Sequence, residues 1–351
     1  MRLALLVLLV FSILGGLPAA AQRTRLPAPS FPLTASLDAS GVPLLAWSCP
    51  ERQVPRQRVM LRSTTDLRTT KDALAFPIAH LDANGFSTAY LDTEAPHDVE
   101  LSYQLKLVFA DGRTLYSSVA FITVPPARLS HLLKPSLFVD KTAYTLTLLD
   151  DGQPVRRFPI ALGANPVHRK IHLDRASTPE GVYRISGVQP RATFHRAYDL
   201  NYPNEVDRIR YRVLADRGEL PNPVPDIGGE IQIHGHGITG NWTWGCIALR
   251  DTDMDLLFSL PELRNGTAVV ITGAEVTRDD LDVQLSLTEE ERHVFMEHLV
   301  ELGIASGRTS KHWLYGLCKF QAEHGLMVTG LFDQSTRELL ERMGALSKTA
   351  R

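Results

Sequence analysis

Cysteine is scarce in this sequence: only Cys49, Cys246 and Cys318 occur among 351 residues. An odd and sparse set does not make a disulfide framework, and it leaves at least one thiol free. Neither sign of charge is in excess, with 37 lysines and arginines against 39 aspartates and glutamates and a net charge of −2. That balance lacks the basic footprint of a nucleic-acid-binding surface, so nucleic acid is not expected as a partner. Repeats and low-complexity tracts are also missing, and no apolar run reaches the roughly 20 residues that span a bilayer with ease. What remains is a globular composition, 44% hydrophobic and 22% charged, long enough for two or three cores.

The first 21 residues differ in kind. Arg2 precedes the apolar run Leu3 to Leu14, Gly15-Gly16-Leu17-Pro18 breaks it, and Ala19-Ala20-Ala21 follows. This charged, apolar, small-residue order predicts a secretory signal peptide over 1–21, cut after Ala21, with no membrane span left after cleavage. The chain is then expected to be exported, to the periplasm or cell wall, where thiols tend to pair. A free thiol there needs a reason.

From 32 to 124 the pattern is of short alternating strands broken by turn residues. Leu101, Tyr103, Leu105, Leu107 and Phe109 alternate strictly, and Asp111-Gly112 supplies a tight turn before Thr114 to Val124. With Trp47 and Tyr103 in core positions, this region resembles a fibronectin type III β-sandwich. Cys49, close to Trp47, reads as a small buried hydrophobe. Residues 133–275 are again mostly β, with a hairpin about Asp150-Asp151-Gly152, a strand after the turn Pro179-Glu180-Gly181, and Asp251 to Pro261 as one short helix. Beyond 285 the period becomes helical. Thr288 with Glu291 predicts a capping box, a second helix is expected over Ser310 to His324, and Asp333 caps a third. Cys318 lies beside the buried stripe of the second helix and reads as an inert core thiol. The stretch from Leu317 to Leu340 is similar to the three-helix peptidoglycan-binding domain, with Thr329 where an acidic residue is usual and Asp333 where glycine is usual. The expected fold class is therefore multidomain and mainly β: an N-terminal sandwich, a central all-β domain over 133–275 and a helical module over 285–345.

The chemistry concentrates in IHGHGITGNWTWGCIAL, residues 233 to 249. A cysteine nucleophile acts as thiolate and needs a base nearby, a group that orients that base, and backbone N–H groups facing the developing oxyanion. His234, at the end of a strand and followed by Gly235, can present its imidazole at a sheet rim. Gly245 lets the backbone turn tightly before Cys246. Two other readings of the same residues stand beside this one. His234, His236 and Cys246 could bind zinc as three ligands, although no carboxylate or second cysteine is placed to complete a structural site. The run could also be a glycine-rich hairpin around an inert thiol, although Gly245 and His234 beside it are hard to explain by packing.

The segment resembles the catalytic motif of the L,D-transpeptidases, in which His-Gly is followed by a loop and Ser/Thr-His-Gly-Cys. The likeness extends over roughly 133 to 273 and includes Thr178-Pro179-Glu180-Gly181, Lys170 and Asp174, and Tyr202 to Asp207. It departs in Trp244, where the family has histidine, and in Ala248, where arginine or asparagine is usual. The resemblance implies an enzyme acting by acyl transfer on peptidoglycan stem peptides. Cys246 would be the nucleophile and His234 the base and acid, with the Gly235 carbonyl orienting the ring and Gly245 helping to form the oxyanion hole. Trp244, Thr243, His236 and Tyr202 would contact substrate. The scheme requires no cofactor and no metal. The acceptor would be an amine of another stem peptide or of a wall-linked protein. A cysteine hydrolase cutting the same bonds and a non-catalytic wall-binding protein are the alternatives. Arg169, Lys170 and Arg175 read as a solvated charge cluster, and Tyr202, Asn204 and Asp207 as cleft-shaping or turn-capping residues.

Overall fold

The computed structural model describes residues 31–48, 55–64, 67–68, 76–81, 88–125, 129, 131–307 and 309–346. The signal-like segment 1–21 and Cys49 lie outside the described residues. The fold is mainly β, with three sheets and six α-helices among those residues.

Eight strands run through the N-terminal part: β1 (Leu33–Leu37), β2 (Pro43–Trp47), β3 (Gln57–Ser63), β4 (Phe76–Leu81), β5 (Ala89–Leu91), β6 (Glu100–Val108), β7 (Thr114–Tyr116) and β8 (Ala120–Thr123). β1, β2 and β5 form one sheet, and β4-β3-β6-β7 with β8 against β6 form another. The alternation in β6 buries Leu101, Tyr103, Leu105 and Leu107, each at most 1% exposed, in one core with Trp47 and Phe109. Burying the Tyr103 ring requires a partner for its hydroxyl, and it donates to Asp92 at 2.8 Å. Asp92 also takes the Arg62 guanidinium at 2.8 Å, and Arg62 reaches on to the carbonyl of Ala143, which ties this part to the central one.

The central sheet has eight strands: β9 (Pro135–Asp140), β10 (Thr145–Asp150), β11 (Gln153–Pro159), β12 (Gly181–Ala192), β13 (His195–Leu200), β14 (Gln232–His234), β15 (Ile247–Ala248) and β16 (Ala268–Thr272). Their order is β11-β10-β9-β16-β12-β13-β14-β15. The β10–β11 hairpin turns at Asp151-Gly152, both in the left-handed region. Two pairings in this sheet, β16 with β9 and β14 with β15, are parallel.

Two helices belong to the central part, α1 (Glu205–Asp216) and α2 (Asp251–Phe258). α2 falls where the sequence predicts its one short helix; α1 is an addition to the mostly β reading. Asn204 and Asp207 form a reciprocal capping box at its start, and Val213 and Leu214 are buried on one face. Asn204 and Asp207 are thus helix-capping residues.

Four helices follow, where three were expected: α3 (Arg278–Ser286), α4 (Glu289–Glu301), α5 (Ser310–Glu323) and α6 (Gln334–Arg342). The extra one, α3, is started by a Thr277–Asp280 capping box. Phe295, Trp313, Leu317, Phe320, Phe332 and Leu340 make their common core. α5 also packs on α1 through Cys318, Ala322, Val213 and Leu214. Burial pushes the Cys318 thiol up to about 12, which suits an unreactive core residue. Thr329 and Asp333 are bonded to each other: Thr329 Oγ1 donates to Asp333 at 2.5 Å, and Gln321 bonds both side chains.

Candidate active site

The site is set by the parallel pairing of β14 and β15. Ile233 stands opposite Ile247 and His234 opposite Ala248, so Gln232 is level with Cys246 one step earlier. A hairpin would have made this pair antiparallel; instead residues 235–246 cross over between two parallel strands. Ile233 and Ile247 are wholly buried in the central core. Side chains alternate along a strand, so Gln232, His234 and Cys246 share the opposite face. With strands about 4.8 Å apart and about 3.3 Å of rise per residue, the α-carbons of His234 and Cys246 are roughly 8 Å apart on the diagonal, and both side chains project from one face.

His234 Nδ1 lies 2.7 Å from the Gly235 carbonyl oxygen. A carbonyl only accepts, so Nδ1 carries the hydrogen and Nε2 keeps the lone pair. The ring packs against Phe194 and Trp242, with centroids 4.9 and 5.5 Å away. Burial lowers the affinity of this imidazole for a second proton, against the pull of the Gly235 carbonyl, and His236 lowers it further. Cys246 is half-buried, and its Sγ donates to the Glu230 carbonyl at 3.6 Å. Burial raises this thiol above its ordinary range, while the Gln232 backbone N–H and the charge of Lys170 pull it down. Both directions favour neutral groups, a thiol and an imidazole, at rest.

Cys246 leaves a turn that is closed on itself. Thr243 Oγ1 donates to the Cys246 carbonyl at 2.7 Å and accepts from the Gly245 N–H at 3.1 Å. Gly245 has φ of 129°, and a β-carbon there would lie 2.5 Å from the Ser177 carbonyl oxygen, so no other residue fits. Ser177 opens the Thr178-Pro179-Glu180-Gly181 segment, whose Glu180 is fully buried against Lys141 at 2.6 Å and accepts the Val276 N–H at 2.7 Å. Gly235 is less confined, since the atom within 2.4 Å of a β-carbon there is Asp251 Oδ1, the end of a side chain.

Cys246, His234, Gly235, Gly245, Thr243, Trp244 and His236 therefore gather around one sheet end. Trp244 is 69% exposed beside the nucleophile candidate. His236, exposed and at φ of 81°, donates its backbone N–H to Asp251 at 2.7 Å and packs its ring on Trp242. Thr243 is buried with its hydroxyl occupied inside the turn. Tyr202 is apart from this group: it is 5% exposed in the central core, and its hydroxyl donates to the Ile227 carbonyl at 3.3 Å. Among the described residues no group of three or more His, Cys, Asp or Glu side chains is arranged to hold a metal ion.

Arg169 and Lys170 are not a solvated cluster, being 2% and 1% exposed. Arg169 donates to the Thr329 carbonyl at 2.9 Å, and Lys170 Nζ to the Trp244 carbonyl at 3.1 Å. Nothing in the local pattern around Lys170 marks it as a neighbour of the turn, because 74 residues separate the partners. Trp242, which on sequence grounds could be a core aromatic or a cleft wall, forms an aromatic wall with Phe194, a residue without a sequence signal.

Residues 134–271 match the YkuD family, the L,D-transpeptidase catalytic domain. No curated protein matches the chain. Among solved structures, the chain is similar to an L,D-transpeptidase from Xylanimonas cellulosilytica at 19% identity and a TM-score of 0.27, covering 42% of this chain and 64% of that one. It thus spans less than two thirds of that relative. L,D-transpeptidase 1 of Mycobacterium tuberculosis is similar at 13% identity and a TM-score of 0.26, covering 53% and 77%. A Fn3-like protein from Clostridium thermocellum is similar at 29% identity and a TM-score of 0.22, covering 30% and 99%. The YkuD match contains every strand of the central sheet through Ile271, and the Cys246 turn with it. Among the described residues no helix is long and apolar enough to cross a membrane.

Proposed function

We propose that this protein is a peptidoglycan L,D-transpeptidase exported to the cell wall, with Cys246 as nucleophile and His234 as general base and acid. The observation that carries this reading is the common face of His234 and Cys246 on two paired parallel strands, with Nδ1 engaged by Gly235 and Nε2 free to act as a base. The YkuD match over the same segment supports the reaction class. In this scheme Sγ attacks a stem-peptide carbonyl at the L-centre of diaminopimelate as its proton passes to His234 Nε2. The tetrahedral oxyanion is met by backbone N–H groups of Gly245 and Cys246, the former giving up its bond to Thr243. His234 returns the proton to the departing D-alanine amine, which leaves a thioester on Cys246. An amine of another stem peptide, or of a wall-linked protein, then attacks the thioester and restores the thiol.

The strands of 33–123 and the helices of 278–342 are proposed as two further domains flanking this one. The last of them is proposed to hold the enzyme on the wall, through its likeness to peptidoglycan-binding modules. The test is intact-protein mass spectrometry after exposure to a carbapenem, followed by incubation with muropeptides. One adduct mapped to Cys246, together with new crosslinked dimers, is expected. Shortened monomers without dimers would make the enzyme a hydrolase. No adduct, with wall association lost on deleting 285–345, would make it a non-catalytic binding protein.

A further inference from the structure

We propose that Lys170 is the counter-charge of the Cys246 thiolate and, through its bond to the Trp244 carbonyl, a positioning residue for the turn that carries it. This deepens the reading of Cys246 as nucleophile and rests on it. The argument starts from an imbalance. An ammonium carries three donors and is almost never buried without an anion. Lys141 obeys that rule, with the Glu180 carboxylate at 2.6 Å and the His168 and Thr178 carbonyls at 3.0 and 3.1 Å. Lys170 is as deeply buried, yet among the described residues its ammonium makes one hydrogen bond, to the Trp244 carbonyl at 3.1 Å, and no carboxylate lies within ion-pair distance. Trp244 is two residues before Cys246. The anion that this ammonium lacks at rest is the one that forms when Cys246 gives up its proton.

The surroundings fit that assignment. Asp199 and Glu230 act on Cys246 with negative charge and oppose its ionisation, and Lys170 is the cation acting against them. His234, on the same face, is held neutral by burial and supplies no resting charge. Lys170 itself is drawn toward its neutral form by burial, and the negative charges of Asp174 and of Cys246 as thiolate act against that. Its backbone is fixed from three sides. The Lys170 N–H donates to the Thr178 carbonyl at 3.3 Å, its carbonyl accepts from Arg210 of α1 at 2.5 Å, and the preceding Arg169 donates to the Thr329 carbonyl at 2.9 Å. A charge anchored in this way needs no reorganisation when the thiolate appears, which is the condition for effective electrostatic stabilisation.

The experiment follows alkylation of Cys246 by iodoacetamide across pH in the full chain, with peptide mapping and buried Cys318 as internal reference. Lys170→Gln keeps a hydrogen-bond donor for Trp244 and loses the charge; Lys170→Arg keeps both. The expected result is an upward shift of the alkylation midpoint in Lys170→Gln, with a rate at pH 8 lower by about tenfold or more, and a near wild-type profile in Lys170→Arg. Coincident profiles for wild type and a folded Lys170→Gln overturn the proposal, as does a Lys170→Arg variant impaired as deeply as Lys170→Gln. If Lys170→Gln does not fold, the reciprocal measurement decides. The Lys170 titration, read by NMR on 13C-labelled lysine, moves down in Cys246→Ala if the charges are coupled and stays put if they are not. Carbapenem labelling of the wild type runs alongside. An unlabelled Cys246 with a shifted Lys170→Gln profile would remove the nucleophile assignment while leaving the electrostatic pairing, so the two failures are distinguishable.

Discussion

Replacing Glu180 by glutamine changes one atom of a buried carboxylate, and its cost follows from that group's contacts. Glu180 and Lys141 are 0% and 3% exposed and meet at 2.6 Å. One carboxylate oxygen takes the Lys141 ammonium; the other accepts the backbone N–H of Val276 at 2.7 Å and of Glu275 at 3.1 Å. Every partner is a donor, so a glutamine must turn its NH2 toward either the ammonium or the two amides. In either orientation a buried donor loses its acceptor, and the Lys141 charge is left without its counter-ion. Breaking a buried ion pair from one side costs about 3–5 kcal/mol. Against a total stability of about 5–15 kcal/mol this is a large share, and for a region of this size it lowers Tm by roughly 6–20 °C. Urea unfolding followed by tryptophan fluorescence, with scanning calorimetry, measures the loss. Glu180→Gln combined with Lys141→Met should recover most of it, because removing both charges leaves none uncompensated. A single-variant loss below about 1 kcal/mol, or a double variant no better than the single, would refute the reasoning.

Four further outcomes are expected. Gly245→Ala puts a β-carbon 2.5 Å from the Ser177 carbonyl at φ of 129°, so it should cost about 1–3 kcal/mol in backbone strain and abolish carbapenem acylation; unchanged acylation would show that the turn is not held as described. Because burial lowers the His234 pKa, the ring stays an acceptor down to lower pH than an ordinary histidine. The acid-side fall of the Cys246 acylation rate should therefore lie below the ordinary histidine range. The raised thiol should place the substrate-free alkylation midpoint above the ordinary thiol range, whereas a midpoint below it would reveal a resting thiolate–imidazolium pair. Trp244→His should leave stability within about 0.5 kcal/mol, since the side chain is 69% exposed, and should alter the ratio of dimers to hydrolysed products if its bulk selects the acceptor; an unaltered ratio would dispose of that role.

Local signals were legible in the sequence, and long-range ones were not. Strict alternation in Leu101 to Phe109, the capping pair Thr288–Glu291 and the cap Asp333 are written within a few residues, and they correspond to β6, α4 and α6. α1 was legible by the same rule, since Asn204 and Asp207 have capping-box spacing, but a cleft-shaping reading of Tyr202 to Asp207 obscured it. In the site, His234, Gly235, Gly245 and Cys246 could be singled out because their chemistry demands a histidine, a cysteine and flanking glycines within one loop. Glu180 was visible only as part of a motif. Its partners Lys141 and Val276 are 39 and 96 residues away. The burial of Arg169 and Lys170 was illegible for the same reason, because a basic pair reads as solvated until distant carbonyls, Thr329 and Trp244, come to meet it.

The geometry of the site depends on a strand too short to hold its own register. β15 has two residues, and a slip of one would turn Cys246 toward the core and Ile247 toward the cleft. What fixes it lies on both of its sides. Ala161 and Ala248 exchange both backbone hydrogen bonds, at 2.9 and 2.8 Å. Thr243 and Ala164 are joined at 2.9 Å, before the turn begins. Leu249 donates to the His234 carbonyl at 2.8 Å, so the segment leaving the turn is pinned to the histidine itself. The 159–164 segment, which carries no titrating group, thereby decides which face the thiol occupies. The Gly245 turn then needs only to place Cys246 at the right height. A glycine confined by Ser177 and a hydroxyl bridging both ends of that turn are sufficient for this, and they explain why Thr243 faces inward although it is two residues from the candidate cleft residue Trp244's successor, Gly245.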